Sequence, residues 1–353
     1  MSTPSGLSDA ALDAYLVAHL PDYAGPYAVS VLSGGQSNPT FLLAGKDQKL
    51  VLRKKPEGVL LPSAHAIDRE YRVISALKDS AIPVARARCY CDDAHVIGTA
   101  FYVMDHVQGR QFMDPALPGL SAPERGKVWD EFNRVVAALH SVDHEAVGLG
   151  DYGKPGNYLA RQIARWSRQY RASETERIDS MERLIEWLPA HIPTGDDTAI
   201  VHGDLRIDNL IYHPTEPRIL AVLDWELSTL GHSLADLAYH VMSWRLTSAQ
   251  FRGMAEHHLA ALGIPGEADY LRLYCQRTGR DPIDPADWEF HMAFSMFRLA
   301  AILQGIVRRA LDGNASSSEA LATGMRARTI ADVAWTQVEK LLASASPTGK
   351  LSP

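Results

Sequence analysis

The chain has 353 residues, of which 46% are apolar and 22% charged, proportions typical of globular proteins. A chain of this length buries a core without disulfides or structural metals, and it corresponds to about two domains or one large two-lobed unit. Its 35 basic and 42 acidic residues give a formal charge of −7, which disfavours broad contact with nucleic acid or anionic membranes. We therefore expect partners that include neither nucleic acid nor a membrane.

Cysteine usage and the first residues bear on the compartment. The three cysteines, Cys89, Cys91 and Cys275, are not spaced as a disulfide framework or a zinc site. The amino terminus lacks the basic start and apolar core of a signal peptide. The longest apolar helix is interrupted by Arg298 and Gln304. These features predict a cytoplasmic protein without a membrane span.

In chain order, the first third of the sequence is predicted to be mainly extended. Periodicity and turn residues predict a helix with Ser8 as its cap and Pro21 after it, strands at 27–32, 40–44 and 49–54, a helix over 64–78, and strands at 84–91 and 100–105. The rest is helical in pattern, at 124–140, 158–171, 176–188, 234–244, several segments within 248–278, 288–311 and 319–342. The sequence thus predicts a small sheet-rich part followed by a large helical part.

The most informative segment carries two short apolar runs, 210–212 and 219–223, joined by residues typical of a hairpin turn. In an antiparallel hairpin, Asn209 and Asp224 would lie side by side at the open end. An amide oxygen and a carboxylate there suit Mg²⁺, which takes its other ligands from water and substrate phosphates. The hairpin therefore predicts a metal site.

Asp204 lies in a loop five residues before Asn209, where its carboxylate is placed to accept a proton from a hydroxyl. His202 is predicted to orient this loop rather than to react. The pattern His-x-Asp-x-x-x-x-Asn, followed by Asp224, repeats the kinase catalytic loop and its metal-binding aspartate. Gly203 stands where protein kinases carry arginine, and Asp224 is followed by Trp-Glu rather than Phe-Gly.

In this form the chain resembles the aminoglycoside phosphotransferase and choline kinase superfamily. The resemblance covers roughly residues 27–310 and implies an α+β, protein-kinase-like bilobal fold, with a small antiparallel-sheet N-lobe at 1–106, a larger helical C-lobe at 107–345 and a disordered tail at 346–353. It implies an enzyme that transfers the γ-phosphoryl group of ATP to a hydroxyl of a small molecule, with Mg²⁺ bound by Asn209 and Asp224 and with Asp204 as the base.

Two residues of the first lobe match an ion pair of the kinases. Strand alternation puts Val51 and Arg53 on one face, and the resemblance gives Arg53 the place of the phosphate-binding lysine, with Lys54 and Lys55 as alternatives. Glu70 lies on an apolar helix stripe, where a carboxylate is costly unless it is paired. It is predicted to pair with Arg53, or else to border the stripe in solvent.

The resemblance also places the nucleotide between a loop and a hinge. The loop at 33–38 has only the Gly34-Gly35 pair, which an ordinary hairpin turn also carries, so its position alone predicts that backbone N–H groups of Gly35, Gln36, Ser37 and Asn38 bind phosphates. The hinge match, predicted to meet the adenine edge, comprises Met104, Asp105, His106 and Val107. Met104 equally fits plain core packing.

A narrower resemblance is to kinase-like proteins related to the N-terminal region of some acyl-CoA dehydrogenase family members. It rests on segments 51–56, 148–158 and 224–231, and on Arg161, Gln162 and Trp166. It implies a hydroxyacyl-CoA or a hydroxy acid as the acceptor, and the long loop at 148–158 fits a substrate element. Asp236 resembles the superfamily's aspartate that holds the catalytic loop through backbone N–H groups.

Three other functions stay open: an aminoglycoside kinase, a catalytically silent kinase-fold binding module and a metal-dependent phosphohydrolase. A polycationic aminoglycoside suits an acidic lobe, which the balance of acidic residues and arginines in 230–312 does not supply. The arginines predicted to meet an anionic acceptor are Arg161, Arg165, Arg298, Arg308 and Arg309. Arg308 and Arg309 lie near the end of a predicted helix, where they could equally well interact with the helix dipole.

Overall fold

The structure is a computed structural model that describes residues 7, 9–32, 38–56, 66–195, 197–313 and 320–345. The chain divides into two compact units that interleave along the sequence. Unit 1 comprises residues 1–111, 142–152 and 209–228, and unit 2 comprises residues 112–141, 153–208 and 229–353. The predicted lobes at 1–106 and 107–345 stay a prediction, and the predicted tail lies outside the described residues.

The strands are β1 (Ala28–Val31), β2 (Thr40–Ala44), β3 (Lys49–Lys54), β4 (Ala87–Cys91), β5 (Phe101–Asp105), β6 (Thr198–Val201), β7 (Leu210–Tyr212), β8 (Ile219–Val222) and β9 (Thr229–His232). The helices are α1 (Asp9–His19), α2 (Ile67–Leu77), α3 (Ala94–Ile97), α4 (Ala122–His140), α5 (Tyr158–Ser173), α6 (Asp179–Ala190), α7 (Ser233–Val241), α8 (Ser248–Phe251), α9 (Leu259–Leu262), α10 (Glu267–Thr278), α11 (Pro285–Leu311), α12 (Ala320–Gly324) and α13 (Ala327–Ala345).

Unit 1 is built on a five-stranded antiparallel sheet with the order β1-β2-β3-β5-β4. Both faces of β3 are covered, so alternate residues enter different environments. Leu50 and Leu52 are fully buried in a core that they share with the apolar face of α1. Val51 and Arg53 line a cavity on the other face. The predicted strand alternation is therefore confirmed.

The hairpin of β7 and β8 belongs to unit 1. Leu210 pairs with Val222, and the N–H of Leu223 donates to the carbonyl of Asn209 at 2.8 Å. The predicted hairpin is confirmed. The backbone of Arg110 makes two hydrogen bonds of 2.8 Å with that of Tyr212, which ties the segment after β5 to the hairpin.

Unit 2 is mainly helical and has α11 in its core, where this helix packs against α5, α7 and α13. By length and composition α11 could cross a membrane, but 89% of its most apolar stretch is buried inside the structure. Burial of this kind is typical of a core helix.

Two short strands of unit 2 were not predicted. Strands β6 and β9 have four residues each and form their own antiparallel sheet. Strand β6 ends immediately before His202, and β9 ends immediately before α7, the helix that carries Asp236. The two strands therefore position the start of the loop that contains Asp204 and the start of α7.

Candidate functional site

A cavity of about 420 Å³ opens on the face of the unit 1 sheet that carries Arg53. Its walls come from β2, β3, β5, the segment after β5 and the β7-β8 hairpin. Its volume lies in the range of small-molecule pockets. The residues of the predicted site that line it are Arg53, Met104, Asp105, His106, Val107, Asn209 and Asp224. Unit 1 therefore brings the predicted hinge, phosphate-binding and metal-binding residues into one cavity.

Arg53 and Glu70 form the predicted ion pair. The distance between Arg53 Nε and Glu70 Oε2 is 3.1 Å. Glu70 is only 1% exposed, so the alternative of a solvated carboxylate is wrong. Lys54 and Lys55 do not line the cavity, which favours Arg53 among the three cations as the phosphate contact.

Glu70 also accepts hydrogen bonds from two uncharged side chains. Asn38 Nδ2 donates to its Oε1 at 2.6 Å, and the Tyr102 hydroxyl donates to its Oε2 at 3.0 Å. Burial raises the pKa of Glu70 to about 7, while Arg53 and the Tyr102 hydroxyl act in the opposite direction. Burial alone would lower the pKa of Arg53, but the carboxylates of Glu70 and Asp224 raise it. The side-chain role of Asn38 was not predicted.

Asp224 contacts the same arginine from the other side. Arg53 Nη2 lies 2.8 Å from Asp224 Oδ1 and 3.5 Å from Glu226 Oε2. The backbone of Asp224 has a φ of 64°, in the left-handed region that a non-glycine residue seldom adopts. Strain of this kind is concentrated at functional sites, where the surrounding structure holds it.

The hinge residues are partly used by the sheet itself. The N–H of Asp105 donates to the carbonyl of Arg86 at 2.9 Å, and that of His106 donates to the carbonyl of Lys49 at 3.2 Å. The Asp105 carboxylate pairs with Arg88 at 3.1 Å. The N–H groups of Asp105 and His106 are thus bound by neighbouring backbone, and contact between this hinge and an adenine edge stays a prediction.

The predicted phosphate-covering loop is described at one residue only. Gly35, Gln36 and Ser37 lie outside the described residues. Asn38 is fully buried, and its side chain is bonded to Glu70. Phosphate binding by this loop stays a prediction.

Part of the long loop at 148–158 holds helix α2 in place. Arg69 of α2 donates to the carbonyls of Tyr152 at 2.6 Å and Ser228 at 3.3 Å, and its guanidinium lies 4.1 Å from the centre of the Tyr152 ring. The Tyr152 hydroxyl in turn bonds to Ser228 Oγ at 2.7 Å. Because Glu70 follows Arg69 directly, these contacts fix the position of Glu70. The first part of this loop therefore supports α2, in addition to any role in substrate binding.

In unit 2, Asp236 holds the start of the catalytic loop, as predicted. Its carboxylate accepts the N–H groups of His202 and Gly203, each at 2.8 Å, and lies 3.2 Å from His140 Nε2. Burial alone would raise the pKa of Asp236, but the hydrogen bond from His140 and the N–H of His202 hold it below its usual value. Gly203 has a φ of 84°, a conformation that glycine adopts without strain.

Asp204 is surrounded by polar groups of unit 2. The N–H of Asp204 donates to His202 Nδ1 at 3.2 Å, which supports the orienting role predicted for His202. Arg206 Nη2 lies 3.2 Å from Asp204 Oδ2, and the Tyr239 side chain bonds to the same carboxylate. Sequence reasoning missed Arg206 and Tyr239, although Arg206 lies only two positions from Asp204.

Several arginines predicted to meet the acceptor are engaged inside the protein. Arg298 donates to the carbonyl of Gly203, and its guanidinium lies 4.8 Å from the centre of the Tyr239 ring. Arg161 binds the carbonyls of Lys154 and Gly156, and Arg308 binds that of Glu174. The structure therefore makes Arg298 a support of the catalytic loop.

Comparison with known proteins shows which family this chain belongs to. The profile of the phosphotransferase enzyme family matches residues 28–274. A crystal structure from Ralstonia eutropha, provisionally named an aminoglycoside phosphotransferase, is 55% identical; the match covers 94% of this chain and 98% of that chain with a TM-score of 0.87. This chain therefore belongs to the phosphotransferase enzyme family. The predicted superfamily and its protein-kinase-like α+β fold class are confirmed.

Two further similarities are to a larger protein and to a solved structure with a bound nucleotide. Acyl-CoA dehydrogenase family member 10 of Mus musculus is 47% identical over 328 residues, which are 92% of this chain and 30% of that protein. The chain spans less than half the length of the curated relatives that we compared. Spectinomycin phosphotransferase, solved with ADP and spectinomycin, shares the fold at a TM-score of 0.62 and 12% identity, over 94% of this chain and 99% of that chain.

Proposed function

We propose that the protein is a small-molecule kinase that transfers the γ-phosphoryl group of ATP to an acceptor hydroxyl. The observation that carries this proposal is the convergence of Arg53, Asn209 and Asp224 on one cavity that also contains the hinge. Membership of the phosphotransferase family supports the reaction class. The fold shared with a structure that binds ADP supports a nucleotide donor.

The donor binds in the cavity of unit 1. Val107 supplies the hinge N–H for the base, because the N–H groups of Asp105 and His106 donate within the protein. Arg53 binds the phosphates through its planar guanidinium, a good partner for phosphate oxygens. Glu70 contacts Nε of the same guanidinium and so fixes its position.

Asn209 and Asp224 fit a magnesium site. They supply one amide oxygen and one carboxylate in the cavity that would hold the phosphates, and Mg²⁺ commonly takes one or two protein ligands with the rest from water and substrate. Within the described ranges no group of three or more His, Cys, Asp and Glu is arranged to hold a metal. When bound, Mg²⁺ neutralises charge on the phosphates.

Asp204 acts as the base. Its carboxylate accepts the proton of the acceptor hydroxyl while the hydroxyl oxygen forms a bond to the γ-phosphorus. The bond from that phosphorus to the β,γ-bridging oxygen breaks, and ADP leaves. Arg206, Tyr239 and the His202 ring keep the carboxylate in position.

For the acceptor we propose a hydroxyacyl-CoA or a hydroxy acid. Similarity to the acyl-CoA dehydrogenase family members supports an acyl compound. We also propose a cytoplasmic location, which suits three cysteines that are free and buried.

Product analysis tests the function. The purified protein is incubated with Mg-ATP and a panel of hydroxylated acceptors, and ADP, free phosphate and phosphorylated acceptor are each measured. A kinase releases ADP together with an equal amount of phosphorylated acceptor. Free phosphate without phosphorylated acceptor identifies a phosphohydrolase. Thermal stabilisation by Mg-ATP with no turnover of any acceptor identifies a silent binding module.

A further inference from the structure

Unit 2 contains a smaller pocket beside the candidate base. Its volume is about 30 Å³, room for a group the size of about two water molecules, such as a carboxylate. Its wall includes Arg206, Asp208, Tyr239 and Arg252. Arg206 and Tyr239 also contact Asp204, so two of the residues that line the pocket touch the proposed base.

The charge of this pocket favours an anion. Its lining has two guanidinium groups, from Arg206 and Arg252, and one carboxylate, from Asp208. The His240 ring in the lining is neutral, because burial lowers its pKa to about 3. Asp208 Oδ2 accepts from Arg252 Nη1 and lies 3.4 Å from Arg206 Nη2, so this carboxylate is already bound to both cations. An acceptor ammonium group placed there would meet two guanidinium groups.

Arg252 has donors available for a ligand. A guanidinium has five N–H donors, and within the part of the chain that the structure describes Arg252 uses one group, Nη1, on Asp208. Its side chain is 45% exposed. Its backbone has a φ of 43°, which is strained for a residue other than glycine and is held by the surrounding structure.

We propose that Arg252, together with Arg206, binds an anionic group of the acceptor and so selects anionic hydroxylated acceptors over polycationic ones. This inference rests on the proposed kinase function. The anion is either the carboxylate of a hydroxy acid or a phosphate of the CoA part of a hydroxyacyl-CoA. The apolar part of the acceptor lies against Met113, which lines the pocket and is 61% exposed.

Matched acceptors test the charge preference. Initial rates of ADP release are measured with short-chain hydroxy carboxylates, the methyl amides of the same compounds, a 4-hydroxyacyl-CoA and kanamycin. We expect turnover of the carboxylates or the thioester, and a higher KM for each amide than for its acid. Arg252→Ala should raise the KM for the anionic acceptor about 10- to 100-fold, with a smaller change in kcat and little change for the amide. Arg252→Lys should be intermediate, because it keeps the charge.

Arg272→Ala removes an exposed arginine of α10 outside the pocket and serves as the control. An effect of Arg252→Ala on the carboxylates identifies the acid as the source of the anion, and an effect on the thioester alone identifies its phosphates. A KM unchanged by Arg252→Ala for every anionic acceptor, turnover of kanamycin alone, or no turnover of any anionic acceptor would overturn the inference. If Mg-ATP also fails to stabilise the wild-type protein, the proposed function itself fails.

Discussion

Arg53 and Asp224 lie 171 positions apart in the sequence and are joined by a hydrogen bond of 2.8 Å between Nη2 and Oδ1. The same guanidinium contacts Glu70 through Nε at 3.1 Å. One arginine therefore connects the buried Glu70 of α2 with the proposed metal ligand Asp224. Its contacts couple the sheet, helix α2 and the hairpin within unit 1.

Asp224→Asn should weaken Mg²⁺-dependent nucleotide binding and abolish measurable transfer. The substitution removes the carboxylate that would bind the metal and also the charge that pairs with Arg53. Titration with ATP in the presence and absence of Mg²⁺ measures the effect. Binding of Mg-ATP as tight as in the wild type contradicts the metal assignment.

Asp204→Asn should give a different result. It should lower kcat by about 10²- to 10⁴-fold, the usual contribution of a general base, while Mg-ATP binding stays near that of the wild type. Asparagine keeps the size of the side chain and so makes a matched comparison with Asp224→Asn. Retention of most of the wild-type kcat would rule Asp204 out as the base.

Arg53→Ala, Glu70→Ala and the double variant test the ion pair. Arg53→Ala leaves the buried Glu70 carboxylate without its cation and should destabilise by about 3 kcal/mol or more, and Glu70→Ala should destabilise less, because Arg53 keeps Asp224 and Glu226. The double variant should be less destabilised than the sum, with a coupling of about 1 to 3 kcal/mol in the free energy of unfolding. Turnover should also fall by about 10²-fold or more in Arg53→Ala, through lost phosphate positioning. Strict additivity would mean that the two residues do not pair.

The raised pKa of Glu70 predicts a pH dependence of stability. With a pKa of about 7 in the folded protein, against an ordinary 4.5, the folded state holds a proton that the unfolded state releases between these values. The free energy of unfolding should therefore fall as pH rises, relative to that of Glu70→Gln, which does not titrate. Between about pH 5 and about pH 8, the free energy of unfolding of the wild type should fall by about 1 to 3 kcal/mol relative to that of Glu70→Gln. A difference that is constant with pH contradicts the raised pKa.

Arg69→Ala tests the support of α2. Loss of its bonds to the carbonyls of Tyr152 and Ser228 should destabilise by about 1 to 3 kcal/mol and lower turnover through displacement of Glu70. Arg72→Ala is the matched control, because Arg72 lies on the same helix and contacts the same loop through the carbonyl of Gly148 and the exposed Asp151. Its effect should be below about 1 kcal/mol. Equal effects of the two substitutions would contradict a special role of Arg69.

Local patterns in the sequence predicted the local parts of this site. The extended character of the segment after a turn predicted β3 with its observed bounds, Lys49–Lys54, and the hairpin was predicted because its turn residues separate two apolar runs. Strands β6 and β9 were not predicted, because each has only four residues and each pairs with a distant segment. The contact between Arg53 and Asp224 was missed for a similar reason: residue spacing shows which face a side chain occupies, but not which distant charge it meets.

Transfer of the labelled γ-phosphoryl group of ATP to an acceptor is a direct measure of the proposed kinase reaction. The acceptors are hydroxy carboxylates and a 4-hydroxyacyl-CoA, the enzyme is the wild-type chain, and Asp204→Asn is the negative control. We expect labelled acceptor in amounts equal to the ADP formed, formed at least about 10²-fold more slowly with the control variant. Label found only in free phosphate, or ATP that stays intact with every acceptor, would contradict it.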